Sequence, residues 1–120
     1  MIIVCNEPHA EVLNLACNLE AAVPPSTVQE VTSQWTINTD EPSVTMRFRV
    51  PGTNEQLDMP FKRYGENAPF EIVQSKGWIA GAGATPIGSY SFSYSKESGI
   101  LLWSLNDRTT VTASRYQCVG

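Results

Sequence analysis

From Thr27 onward the chain alternates between apolar and polar positions, punctuated by Pro, Gly, Asn and Asp. In "SVTMRFRVPG" (residues 43–52), Val44, Met46, Phe48 and Val50 fall on one side of an extended chain, and Thr45, Arg47 and Arg49 on the other. "QLDMPFKRYG" (residues 56–65) sets Leu57, Met59 and Phe61 against Asp58, Pro60 and Lys62. A period of two predicts half-buried strands. Pairing Val50 with Leu57 across a turn at 51–56 puts Phe48 opposite Met59, Met46 opposite Phe61 and Arg49 opposite Asp58. A slip of one residue would destroy the apolar pairs and the charge pair together. Pro60 has no amide to give a ladder, so the second strand belongs at a sheet edge or ends there.

The stretch "GAGATPIGSYSFSYSKESGILLW" (residues 81–103) first suggests an anion-binding loop. Gly83 and Gly88 have the spacing of a phosphate loop, but Ser89-Tyr90 stands where Lys-Ser/Thr is needed for the terminal phosphates. A dinucleotide fingerprint fails as well, because Pro86 occupies the place of its third glycine. Both motifs need a helix next, whose first amides hold the anion. Tyr90, Phe92 and Tyr94 instead recur at period two, which predicts a strand, with the glycines bridging two strands. Residues 96–99, "KESG", read as a tight turn. With Ser95 opposite Ile100, Phe92 meets Trp103 and Tyr94 meets Leu101. The return "ILLWSL" is apolar on both faces and belongs in the sheet interior. "TTVTASRYQCV" (residues 109–119) supplies the last strand.

Residues 7–22 carry two competing patterns. Read as a helix, Asn6 caps, Pro8 lies in the first turn, and Glu7, Glu11, Asn14 and Asn18 form a polar face. Read as a strand, Leu13, Leu15, Cys17, Leu19 and Ala21 alternate against Asn14, Asn18 and Glu20. The capping residues favour the helix. The expected fold is therefore mainly β: a small antiparallel barrel or sandwich of about seven strands in one domain spanning 1–120, with one N-terminal helix packed against it.

Composition narrows the function classes. The chain is 42% hydrophobic and 17% charged, and no apolar run approaches the roughly 18 residues of a membrane span. The net charge of −4 conceals an asymmetry, with six acids and no base in residues 1–46 against eight bases and six acids thereafter. A nucleic-acid partner is not expected, since phosphate binding draws on a basic excess. The first 23 residues hold no Lys or Arg and three Glu, unlike a secretory signal. With Met1 as the native start, the expected location is the cytoplasm.

Catalytic and metal chemistry find few parts. His9 is the single histidine, beside Pro8, and no nucleophile-elbow motif accompanies it. Cys5, Cys17 and Cys118 with His9 would make a zinc set by count, but the cysteines have 11 and 100 residues between them and lack the tight pairs such sites use. The cysteines are expected as free thiols, against the alternative of a bond from Cys118 to Cys5 or Cys17. No catalytic residue, metal or cofactor is assigned.

Two short pieces, "ESGILLW" and the terminal "RYQC", resemble small bacterial lysozyme-inhibitor domains, β-barrels with a Ser-Gly loop and a cysteine near a strand end. The basic residue and tyrosine that the resemblance calls for after Ser98-Gly99 are replaced by Leu101-Leu102-Trp103.

The expected function is that of a small bacterial accessory domain without enzymatic activity, binding another protein through its hairpin tips at 96–99 and 51–56. One alternative is a barrel for a small apolar ligand, with Trp35, Trp78, Trp103 and the tyrosines lining its cavity. Another is an inhibitor of an extracellular hydrolase, as the resemblance implies. A third is an enzyme built from scattered carboxylates and arginines. The candidate binding residues are Trp78, Tyr90, Phe92, Tyr94, Ser98, Trp103, Arg47 and Arg49.

Overall fold

Nine antiparallel strands and no helix make up the described part of the chain in the computed structural model, which describes residues 11–23, 32–49, 52–61, 70–85, 88–107 and 109–120. The strands are β1 (Val12–Val23), β2 (Thr32–Asn38), β3 (Ser43–Arg49), β4 (Gln56–Phe61), β5 (Phe70–Ser75), β6 (Trp78–Thr85), β7 (Gly88–Ser95), β8 (Ile100–Asp107) and β9 (Val111–Val119). They form one sheet in the order β4-β3-β2-β1-β9-β8-β7-β6-β5. Two meanders, β1 to β4 and β5 to β9, are thus joined edge to edge by a single ladder between β1 and β9. Pro60 lies in an end strand, where its missing amide costs no second ladder.

The sheet curls into a half-barrel. Phe61 of β4 and Trp103 of β8 show why. Their strands are five places apart, about 24 Å along a flat sheet, yet their ring centroids are 4.2 Å apart. The concave face carries Leu15, Trp35, Ile37, Val44, Ile79, Tyr90, Phe92, Leu101, Trp103 and Tyr116, all buried. Trp35 is fully buried among Phe61, Trp103 and Tyr116, at centroid distances of 6.5, 5.9 and 5.5 Å.

The N-terminal helix is not found over the described residues. Residues 12–23 are β1, with Leu13, Leu15, Cys17 and Leu19 turned inward and Asn14 and Asn18 outward. The strand pattern wins because β1 is paired on both sides, by β2 and β9, and that pairing outweighs local helix preference. The capping residues Asn6 and Pro8 lie outside the described residues. Glu20 is left unpaired between the Leu19–Tyr116 and Ala21–Arg115 rungs, and the bulge turns Ala21 outward, against the simple alternation.

The β7–β8 register is the expected one, Phe92 with Trp103 and Tyr94 with Leu101. The β3–β4 register differs by two residues: Phe48 faces Leu57, Met46 faces Met59, Val44 faces Phe61, and Arg47, not Arg49, faces Asp58. A shift of two keeps every side chain on its face, so alternation alone does not distinguish the registers. The core does not reach the outer half of β4, where Leu57 and Met59 are exposed. Val50, paired with Leu57 in the expected register, is outside the described residues.

Nine strands replace the expected seven because β1 is extended and because residues 70–85 form a hairpin. Lys76 and Gly77 make its two-residue turn, with Gly77 at φ +81°. Gly81 and Gly83, expected in a loop, lie inside β6 on the concave face. A Cβ at Gly81 would stand 2.5 Å from Phe92 Cε1, and one at Gly83 would stand 2.7 Å from both Phe70 Cδ2 and Tyr90 Oη. Neighbouring rings fold over the bare backbone there.

Candidate functional site

The most fully anchored exposed feature is the tip between β7 and β8. Lys96, Glu97 and Ser98 are exposed. Gly99, at φ +74°, donates its amide to the Ser95 carbonyl at 2.8 Å. The Ser98 amide reaches Ser95 Oγ and the Ile100 amide reaches Ser98 Oγ, both at 3.3 Å. Two residues of β9 hold the tip from the side: Gln117 Nε2 donates to the Ser98 carbonyl at 2.7 Å, and the Cys118 amide donates to the Gly99 carbonyl at 2.8 Å.

Across the fold, the Lys96 amide donates to the Gly77 carbonyl at 2.9 Å, tying together the tips of two neighbouring hairpins. Lys96 Nζ pairs with Glu11 Oε1 at 2.5 Å, and Gln74 Nε2 donates to the same oxygen at 3.0 Å. Glu11 immediately precedes β1, and Gln74 lies on β5 at the far end of the sheet. This contact therefore exists only because the sheet curls.

The proposed binding residues separate into three groups. Tyr90, Phe92, Tyr94 and Trp103 are core residues of the concave face, between 2% and 7% exposed, so they offer no stacking platform to a ligand. Ser98 is at the anchored tip. Trp78 begins β6 on the outer face, 50% exposed, next to the Gly77 turn that the tip contacts. Arg47 and Arg49 point outward from β3, far from the tip in the sheet order, and line a shallow hollow of about 370 Å³ with Asn18, Thr32, Gln34 and Gln56. Of the second expected tip, at residues 51–56, residues 52–56 are described and exposed, with the Glu55 amide donating to Thr53 Oγ1 at 3.1 Å.

Among the described residues, the buried side chains of the concave face pack closely. Its aromatic rings fill it by packing on one another, and the described hollows, each about 370–380 Å³, are lined mainly by the outer face. One of them has Ala21, Val23, Ser91, Leu102 and Ala113 in its wall. Among the described residues, no buried side-chain nitrogen or oxygen lacks a hydrogen-bond partner.

Among the described residues, the shifted titrations are those of the Arg47–Asp58 pair and of Tyr116. Arg47 donates from Nε to Asp58 Oδ1 at 2.7 Å and from Nη2 to Oδ2 at 3.1 Å. These bonds hold the Asp58 carboxyl below the ordinary carboxylate range, chiefly through the hydrogen bond itself, and raise Arg47 by the same contact. In the core, burial pushes the Tyr116 phenol up, partly offset by its bond with Ser114. A depressed carboxyl stabilises the fold above the unfolded pKa and loses that contribution as pH falls through the folded value. In Arg47→Ala, Asp58 should titrate at a higher pH, near an ordinary aspartate. Carboxyl chemical shifts followed against pH check this; an unchanged midpoint would remove Arg47 as the cause.

Cys17 and Cys118 are joined by a disulfide spanning a separation of 101 residues, contrary to the expectation of free thiols. They are direct partners on β1 and β9 and are 2% and 4% exposed. The bond also removes two ligands from the zinc set considered above. Among the described residues, no group of three or more His, Cys, Asp or Glu is placed to hold a metal. Cys5 and His9 lie outside the described residues.

The sequence reading did not single out Gln117, Ser95 or Glu11 as supports of the tip. The contacts of Gln117 and Glu11 with it span 19 and 85 residues, and no local pattern announces them. Comparison with known protein families, with curated proteins and with solved structures gives no match.

Proposed function

We propose that this chain is a non-enzymatic binding domain that engages another protein through the β7–β8 tip at residues 96–99. The carrying observation is the pre-organisation of that tip. Backbone and side-chain bonds from Ser95, Gln117, Cys118 and Gly77 fix an exposed Lys-Glu-Ser surface, so little conformational entropy is lost on binding. The half-exposed Trp78 beside it supplies the kind of aromatic that dominates protein interfaces. A small-ligand barrel is less well supported, because the rings proposed to line its cavity fill the concave face instead. An enzymatic site is less well supported too, since Arg47 and Asp58 satisfy each other and Tyr116 is in the core.

The disulfide favours an oxidising compartment over the cytoplasm, because such bonds persist where thiols are not kept reduced. This also favours the narrower reading, an inhibitor of an extracellular hydrolase, in which the tip at residues 96–99 is the contact surface. Neither nucleic acid nor membrane is part of the proposal.

A photo-crosslinking residue at Ser98 tests the reading, with Thr109, at the other end of β8, as control. Ser98 should give an adduct of discrete mass, competed by excess unlabelled protein but not by a variant carrying alanine at 96–98. Absence of a competed adduct, or an equal one from Thr109, would overturn it.

A further inference from the structure

We infer that the Cys17–Cys118 disulfide controls the shape of the β7–β8 tip, so that the tip is held ready for binding only in the oxidised protein. The inference rests on the reading of that tip as the binding element and adds its regulation. Cys118 serves two neighbours at once. Its side chain is bonded to Cys17 on β1, while its amide points the other way, to the Gly99 carbonyl at 2.8 Å. That direction makes Cys17 and Cys118 a non-hydrogen-bonded pair, the kind whose side chains lie closest.

The residue before it, Gln117, donates to the Ser98 carbonyl at 2.7 Å. Both side anchors of the tip therefore sit in the last four residues of the chain described here. Across to β1 those four residues are held by the disulfide and the rungs Gln117–Asn18 and Val119–Ala16, and across to β8 by the Gln117–Ile100 rung. Upstream, Tyr116 is fixed in the core against Trp35 at 5.5 Å, so loosening stops there. Approach to Gly99 is also tight: a Cβ at that position would stand 2.6 Å from the Cys118 carbonyl oxygen. The turn and the strand end fit only in their present relation.

Reduction would proceed by thiol–disulfide exchange with a dithiol. One thiolate of the reductant attacks a cysteine sulfur and its second thiol resolves the mixed disulfide. Two electrons and two protons pass to Cys17 and Cys118, and the reductant leaves as its own disulfide. Residues 117–120 then fray from β1, as strand ends with few buried contacts do. The tip keeps its bonds to Ser95 and Gly77 and loses those to Gln117 and Cys118.

Amide hydrogen exchange by NMR, on the full chain without any partner, tests this. In protein reduced with a dithiol, the Gly99 and Cys118 amides should exchange about tenfold or more faster, while amides of β2 and β7 change much less. Gln117→Ala in the oxidised protein should speed exchange at the tip alone, leaving the disulfide intact. Unchanged tip protection after reduction would overturn the inference. So would equal loss across all strands, which would leave the bond as a stabiliser of the whole fold. Because no partner is present, either result is independent of the crosslinking outcome.

Discussion

Trp35→Ala should lower the unfolding free energy by about 3–5 kcal/mol, the range for truncating a large core aromatic. Trp35 is fully buried and touches rings from β4, β8 and β9, so its removal opens a void where both meanders meet. Phe48→Ala should cost clearly less. Phe48 is only partly buried and faces the exposed Leu57 near the sheet edge, although the alternating pattern alone gives it the weight of a core position. Trp78→Ala, at a residue 50% exposed on the outer face, should fall within about 0.5 kcal/mol of the parent, as surface changes usually do. Urea melts of the three variants give the order directly. If Phe48→Ala matched Trp35→Ala, the core would have to extend to the outer half of β4.

The contrast between those aromatics shows what alternation conveys and what it leaves open. Tyr90, Phe92 and Tyr94 are legible as one face of a strand, and their register against Leu101 and Trp103 follows from the short turn at 96–99. The β3–β4 register is not fixed in the same way. Its longer connection tolerates a shift of two, and either register gives Asp58 an arginine across the ladder, Arg49 in the expected one and Arg47 in the observed one. Nor does alternation say how far a sheet curls. The burial of Phe61 against Trp103 depends on strands five places apart, and no pattern within either strand encodes it.

Residues 12–23 fail for a different reason. Helix caps are local signals, while the partners that make this segment a strand, β2 and β9, come from residues 32–38 and 111–119. The candidate site follows the same rule. Ser98 stands out within a local turn motif, whereas Gln117 and Cys118 reach it only once β9 has paired with β8, and Glu11 only after the two meanders have joined.

That joining leads to the other large expected effect, the loss of the disulfide. Unfolded protein prepared without reductant should show one reactive thiol, that of Cys5, and three after reduction, since Cys17 and Cys118 are paired. Three thiols before reduction would remove the bond. In the chain-entropy model, closing a loop of about 100 residues is worth roughly 4–5 kcal/mol, and measured losses on removing native disulfides run about 2–5 kcal/mol. A domain of this length typically has about 6–18 kcal/mol of stability in all. The reduced protein should therefore stay folded with a narrower margin, and its urea midpoint should fall accordingly. The position of the bond makes this loss larger than a local one. It lies in the β1–β9 ladder, the strand pairing that joins the two meanders among the described residues, and so constrains their association in the unfolded chain as well as their contact in the folded one. Both sulfurs are buried, so thiol reagents should reach them in the native protein only when that ladder opens. Reduction without denaturant should then be slow and should quicken on adding urea below the midpoint. Rapid reduction in buffer alone would show that the ladder opens far more readily than its packing implies.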